Sequence, residues 1–283
     1  MNIKELIHQY FHKLSKSQKK VASYVMDYPG KIALASAQEI GATIGVSETT
    51  VIRFCYSLEL SGYAELQKII REQLLSQQSS LASYQKAKLE LEQEPQFFAK
   101  VMEQDRVNIA VTMNQIPEEG YETAINRLAK AEKVYILGLR SSFAAANWLS
   151  YTLGLVRADV QLIRPESEDV LQTLSRMDDK SVVIVISFHR YVKETIQIAK
   201  LAYTQQAFII GITDSLLAPI HPYSQLMFPI YSTNKSPLDA TAALFSLMNA
   251  IVAGLSVKEK DNFKLRQERY EALNSDFLFA EGD

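Results

Sequence analysis

The chain has one cysteine, Cys55, so no internal disulfide can form. That fits a reducing, cytoplasmic setting. Histidine is nearly as scarce. His8, His12, His189 and His221 are scattered, and only His8 and His12 share a helical face, so neither a metal site nor a cofactor is expected. Long apolar runs are missing as well. No stretch reads as the roughly 18 apolar residues of a membrane span, and the opening MNIKELIHQYFHKL mixes charge into its apolar pattern, unlike a signal peptide. A strong charge of either sign is also absent. The net charge of −2 becomes informative only when divided, because residues 1–77 hold 9 Lys and Arg against 7 Asp and Glu, and the rest hold 21 against 25. The basic surplus at the front suits either a face turned to nucleic acid or a solvated helix face.

One absence is local. Residues 185–196 read VISFHRYVKETI, a strand that turns into a helix. Such turns on an α/β sheet usually carry glycine and hold phosphate, yet Arg190 stands where glycine would suit.

What is present divides in two. The 283 residues are enough for two domains. Apolar spacing gives a helix over 3–14 and a second from Ser15 or Ser17 to Tyr28, stopped by Pro29-Gly30. Ser36 and Glu39 have capping-box spacing for a short helix ending near Gly45. Ser47 caps the next helix, expected to run to about Leu60. This is a helix-turn-helix pattern. Val51, Cys55 and Leu58 point inward with Phe54 at the edge, while Thr49, Arg53, Tyr56 and Ser57 point outward with Thr50 beside them. The outward groups suit base edges and phosphates, and the helix start at Ser47–Thr49 suits a phosphate. A small interaction module with a solvated face fits the same pattern.

Residues 78–115 are polar and read as a helical linker. From about 120, strands VYILG (134–138), VQLIR (160–164), VVIVIS (182–187), FIIGIT (208–213) and LMFPIY (226–231) alternate with helices near 142–156, 167–177, 192–206, 215–222 and 238–255. Continuous apolar strands between helices predict a doubly wound, five-stranded parallel sheet, with ligands at the strands' carboxyl ends. The expected layout is an α-helical domain over 1–77, the linker, an α/β domain over 116–260 and a tail over 261–283.

The run IGVSETTVIRFCYSLELSGYAELQK closely resembles the DNA-binding domain of the MurR/RpiR family of bacterial transcriptional regulators. The matching positions are Val46, Ser47, Thr50, Val51, Arg53, Phe54, Cys55, Leu58, Gly62, Tyr63, Glu65, Leu66 and, offset by one, Lys68. Glu59 replaces a common glycine, and Lys19 stands where Glu or Arg is usual in an otherwise matching second helix. The resemblance implies a C-terminal SIS (sugar isomerase) domain that binds a phosphosugar and dimerises. It also implies double-stranded operator DNA as partner, read by a homodimer or tetramer through Ser47, Thr49, Thr50, Arg53, Tyr56, Ser57 and Lys19.

SIS loops of that family read Gly-x-Gly-x-Ser after the first strand and Ser-x-Ser-Gly-x-Thr-x-Glu after the third. Here the first is Gly138-Leu139-Arg140-Ser141-Ser142 and the second runs from Ser187 through His189, Arg190 and Val192 to Glu194, similar to a subgroup reading Ser-Phe-Pro-Arg-Tyr. The resemblance therefore implies an effector site at Arg140, Ser141, Ser142, Ser187, His189, Arg190 and Glu194, with Ser236 at the last strand end touching ligand or capping the final helix. Two arginines in place of two glycines suit an anion, phosphate or carboxylate, gripped by a planar charged fork. Alternatively they pair internally with Glu166, Glu168, Asp169 or Asp239, or are simply exposed to solvent. Asp214 or Ser215 reads as a helix cap. An isomerase would need a base, and Glu194, His189 and His221 are candidates without a supporting constellation. The expected function is regulation rather than catalysis, with a sugar-phosphate isomerase or binding protein as the alternative.

Overall fold

The computed structural model describes residues 3–76, 81–92, 95–233 and 236–272. The chain divides into two compact units, 1–79 and 80–283.

Among the described residues the first unit is helical: α1 (Ile3–Tyr10), α2 (Lys16–Asp27), α3 (Pro29–Leu34), α4 (Ala37–Ile44), α5 (Glu48–Ser57) and α6 (Tyr63–Ser76). Side chains set the boundaries. Ser15 with Gln18 and Ser36 with Glu39 form capping boxes, and the Ser47 hydroxyl accepts from the Thr50 N–H. Pro29 ends α2 as expected but also opens α3, where its missing N–H is no loss. Three α6 side chains one turn apart then satisfy the last carbonyls of α3. Tyr63 and Gln67 donate to Ile32 and Ala35, and Arg71 to Ala33.

Helix α5 stops about three residues earlier than expected. The Leu60 N–H bonds back to Cys55 and the Glu59 N–H to Tyr56, and Glu59 takes φ 61°. This is a Schellman turn, whose left-handed position favours glycine. The inner face of α5 is Val51, Phe54 and Cys55, with Leu58 buried just beyond it. Burial pushes the Cys55 thiol up to about 12, and its S–H donates to the Val51 carbonyl, so it is a packing residue and not a reactive one.

The second unit opens with α7 (Leu81–Glu92), α8 (Phe97–Gln115) and α9 (Glu118–Lys130). Then follow β1 (Lys133–Leu137), α10 (Phe143–Val156), β2 (Val160–Leu162), α11 (Val170–Leu174), β3 (Ser181–Ile186), α12 (Lys193–Thr204), β4 (Phe208–Thr213), β5 (Leu226–Pro229), α13 (Thr241–Lys258) and α14 (Lys260–Glu271). All strand pairs are parallel, in the order β2-β1-β3-β4-β5. Alternate residues serve opposite faces. Val134, Ile136, Val182, Ile184 and Ile210 pack with α9, α10 and α13, whereas Tyr135, Leu137, Val183, Val185 and Ile209 pack toward α11 and α12.

Several expectations need correction. Residues 215–222 form turns and a short 3-10 turn at His221–Tyr223, not an α-helix. The final helix starts at Thr241, five residues after Ser236, so Ser236 is not its cap. Helix α8, read as linker, is built into the second unit. Asn108 is fully buried, donating to the Asp239 carbonyl and accepting from the Thr233 N–H and hydroxyl, while Thr112 accepts from the Tyr231 N–H. On α7, Lys88 forms a 2.9 Å ion pair with Asp239, and both side chains are largely buried (12% and 4% exposed). In the expected tail, Arg266 of α14 donates to the Gly154 carbonyl. Helix α13 alone among the described residues is long and apolar enough to cross a membrane by length and composition, and one face of it, Leu244, Leu247, Met248, Ile251 and Leu255, packs into the core of the second unit.

Candidate functional site

Two surfaces carry the expected site residues. On the first unit, α4 and α5 meet at the turn Gly45-Val46-Ser47, where Gly45 takes φ 70°. A Cβ on Gly41 would lie 2.8 Å from the Val46 carbonyl, so only glycine lets α4 approach this turn. Thr49, Arg53 and Tyr56 are exposed on the outer face of α5, Tyr56 by 57%. Ser47 and Thr50 are partly engaged, their hydroxyls 2.9 Å apart within the cap. Ser57 does not face outward with the rest. Its hydroxyl donates to the Arg53 carbonyl and accepts from Gln18 of α2, so it ties two helices together. Lys19 is half-buried, with its ammonium 5.0 Å from the Phe11 ring centroid.

On the second unit the strand order reverses between β1 and β3, which are neighbours with Leu137 beside Val185. This is the switch point, where crevices form in doubly wound sheets. The loops leaving these two strands carry the two arginines, and both take left-handed backbone angles, Arg140 at φ 53° and Arg190 at φ 65°. Each stands where glycine would be unstrained, and such a residue costs about 1–2 kcal/mol. A cavity of about 490 Å³ is lined by Leu139, Arg140, Phe143, Pro165, Glu166, Val192 and Glu194. Arg140 and Glu194 were legible in the sequence and Val192 was read in the same loop, whereas Phe143 and Pro165 were not, being apolar residues with no chemical signature.

The internal pairing alternative fails among the described residues, where neither Arg140 nor Arg190 makes an ion pair. Three of the four candidate acids have other partners. Glu168 accepts from Gln161 and the Arg164 N–H, Asp169 caps α11, and Asp239 pairs with Lys88. Glu166 lines the cavity beside Arg140.

Ser141 and Arg190 are exposed, Ser142 is buried, and Ser187 is 3% exposed. The Ser187 hydroxyl and His189 Nδ1 are buried with no hydrogen-bond partner among the described residues. Ser236 is buried outside the cavity lining, and its hydroxyl accepts from the Leu238 N–H. Asp214 is not a helix cap. Its carboxylate accepts from the His189 N–H at 3.1 Å and from the Tyr191 hydroxyl at 2.8 Å. Burial, then the Asp214 charge, raises the Tyr191 pKa, so this hydroxyl stays a donor. The run Thr213-Asp214-Ser215 at the end of β4 was the available signal for this contact. Of the base candidates only Glu194 reaches the cavity, and no group of three metal-ligating side chains occurs among the described residues.

A helix-turn-helix unit with an open outer face, joined to a doubly wound domain with cationic switch-point loops, defines a DNA-binding protein carrying a sugar-isomerase-type domain. The helix-turn-helix domain of the rpiR family matches residues 1–78 and the SIS domain matches residues 127–254, and the chain belongs to the RpiR family of transcriptional regulators. The HTH-type transcriptional regulator HexR of Escherichia coli strain K12 is 25% identical over 232 residues, spanning 76% of this chain and 73% of its own. HexR of Pseudomonas aeruginosa is 22% identical over 273 residues, spanning 93% and 92%. The Vibrio vulnificus NanR protein complexed with ManNAc-6P superposes with a TM-score of 0.61 at 18% identity, covering 99% of this chain and 100% of that one. The sugar isomerase domain of an RpiR transcription factor from Sphaerobacter thermophilus gives 0.58 at 20%, covering 63% of this chain and 100% of that one. At these identities the superpositions speak for the fold. The chain is thus a regulator of the RpiR type.

Proposed function

We propose that this regulator binds a small anionic metabolite, a phosphosugar or a similar anion, at the β1/β3 switch point, and that occupancy changes its grip on double-stranded operator DNA. The observation that carries the reading is the pair of strained arginines on neighbouring strand ends, neither ion-paired among the described residues, with Arg140 lining the cavity. A strained residue without a structural partner is what a binding loop retains. The sugar phosphate held by the NanR protein supports the ligand class.

On DNA, Arg53, Thr49 and Tyr56 meet base edges, the α5 N-terminus at Ser47–Thr49 meets a phosphate, and Thr50 and Lys19 flank them. Ser57 is removed from this set by its internal bonds. A homodimer formed through the second units, or a tetramer, presents two α5 helices to a two-fold operator. The ligand acts only as far as it binds one arrangement of the DNA-binding units better than another. Residues 231–240 lie between the last strand and α13, and Lys88 and Asn108 tie them to α7 and α8, the helices that follow the DNA-binding unit in the chain. This offers a route for the signal.

A melting screen with hexose phosphates, followed through Trp148, the only tryptophan, tests the ligand reading. At least one compound should raise the transition of the wild type, Arg190→Ala should abolish the rise, and aldose–ketose turnover should be absent. A wild type that responds to no anion sinks it.

A further inference from the structure

Arg190 raises a question of support. Its φ of 65° is disfavoured for any side chain but glycine's hydrogen, and among the described residues no hydrogen bond or ion pair involves its guanidinium. The other strained arginine has local support. Arg140 opens a 3-10 turn closed by the Ser142 N–H on the Leu139 carbonyl. No such turn encloses Arg190, and α12 begins at Lys193, with Val192 at the N-cap position and no side-chain cap.

What spans Arg190 is a carboxylate from the next strand. One Asp214 oxygen takes the His189 N–H, the residue before Arg190, and the other takes the Tyr191 hydroxyl, the residue after it. The carboxylate is itself fixed. Asp214 follows β4, which is laddered to β3 through Ile186 and Ile212, and the Ser187 N–H bonds to the Ile212 carbonyl. The Thr213 hydroxyl adds a contact at 3.3 Å. We infer that Asp214, with Tyr191 as its strap, is the positioning residue that holds Arg190 left-handed at the switch point. The value of that position as an anion site rests on the function proposed above. Glycine would reach this conformation freely. Here Asp214 holds it while the loop carries a positive charge.

A double-mutant cycle on the full chain tests this without any ligand. Arg190→Gly removes the strain but adds freedom to the unfolded chain, so the Trp148 melting transition should rise by about 1–2 °C. In the Tyr191→Phe background the strap is gone and the loop relaxes, so the same substitution should give no rise. Asp214→Asn, which keeps one acceptor oxygen, should give an intermediate gain. Equal gains in all three backgrounds would overturn the inference. Glucose 6-phosphate serves as the anion probe in a second cycle. Asp214→Asn should weaken its binding about tenfold when Arg190 is present and not at all in the Arg190→Gly chain. If Asp214→Asn weakens it equally in both chains, Asp214 acts on the site without Arg190, and the inference falls. If the melting cycle is coupled but Arg190→Gly leaves probe binding unmoved, positioning stands and the anion reading fails.

Discussion

Three glycines of the DNA-binding unit give a graded test of how the helix-turn-helix is built. At Gly41 an added Cβ would meet the Val46 carbonyl at 2.8 Å, the Glu48 nitrogen at 3.2 Å and the Ser47 carbonyl carbon at 3.3 Å. All three are backbone atoms of the turn, so no side chain can swing aside and the turn itself must move. Forced overpacking of this kind costs about 3 kcal/mol, and alanine in mid-helix returns about 1 kcal/mol, leaving Gly41→Ala about 2 kcal/mol destabilised. At Gly45 there is open space, but φ is 70°, so Gly45→Ala loses about 1 kcal/mol from backbone strain alone. At Gly30, in the first turn of α3, there is open space and an ordinary φ, so Gly30→Ala should gain about 0.5 kcal/mol. Urea denaturation followed by far-ultraviolet circular dichroism measures all three. Because Gly41→Ala also displaces the start of α5, it should lose more operator affinity than its stability loss explains. A neutral or stabilising Gly41→Ala would refute the packing argument, and a reversed order of the three would refute the assigned roles.

Other outcomes follow from the caps and the buried pair. Glu59→Gly should stabilise the first unit by about 0.5 kcal/mol, the relief of a left-handed residue less the added freedom of the unfolded chain, seen as a higher denaturation midpoint. Ser36→Ala should cost about 1 kcal/mol as a lost helix cap. Hydrogen bonds from the Ser36 N–H and hydroxyl hold the Glu39 carboxyl below its usual value. Its contribution is therefore complete above the unfolded value of about 4.3 and lost as pH falls through the lower folded value, and Glu39→Gln should flatten that part of an acid titration. Lys88→Met removes one partner of the buried Lys88–Asp239 pair, so the Trp148 transition should lose about 1–3 kcal/mol. An unchanged transition would mean that the pair does not form in solution.

The fold was legible where a periodic pattern coincided with a local stop signal. Five apolar runs marked the five strands, Ser36 and Ser47 marked two helix starts, and a third was narrowed to Ser15 or Ser17, because these choices are made within a few residues. The misreadings came where tertiary partners decide. Pro29 was read only as a terminator, though α6 side chains supply the partners that let α3 form after it. Residues 78–115 looked like a linker because the stretch is polar and rich in Gln, Glu and Lys, and polarity does not reveal buried hydrogen-bond partners more than a hundred residues away, such as those of Asn108 and Thr112. At the candidate site Arg140 and Arg190 stood out as departures from glycine loops. Their left-handed angles, the Asp214 contact on either side of Arg190 and the apolar cavity wall required strand order and register. Ser57 was misplaced for the same reason, since a helical wheel has no knowledge of Gln18.

The most direct test of the account is operator affinity of the full chain, on duplexes selected from a random pool, titrated with hexose phosphates for the wild type and Arg190→Ala. The account predicts at least a tenfold shift for the wild type with one such anion. For Arg190→Ala it predicts no shift, with the ligand-free affinity within about twofold of wild type. An Arg190→Ala chain that responds like the wild type, or a wild type whose DNA binding no anion alters, would contradict it.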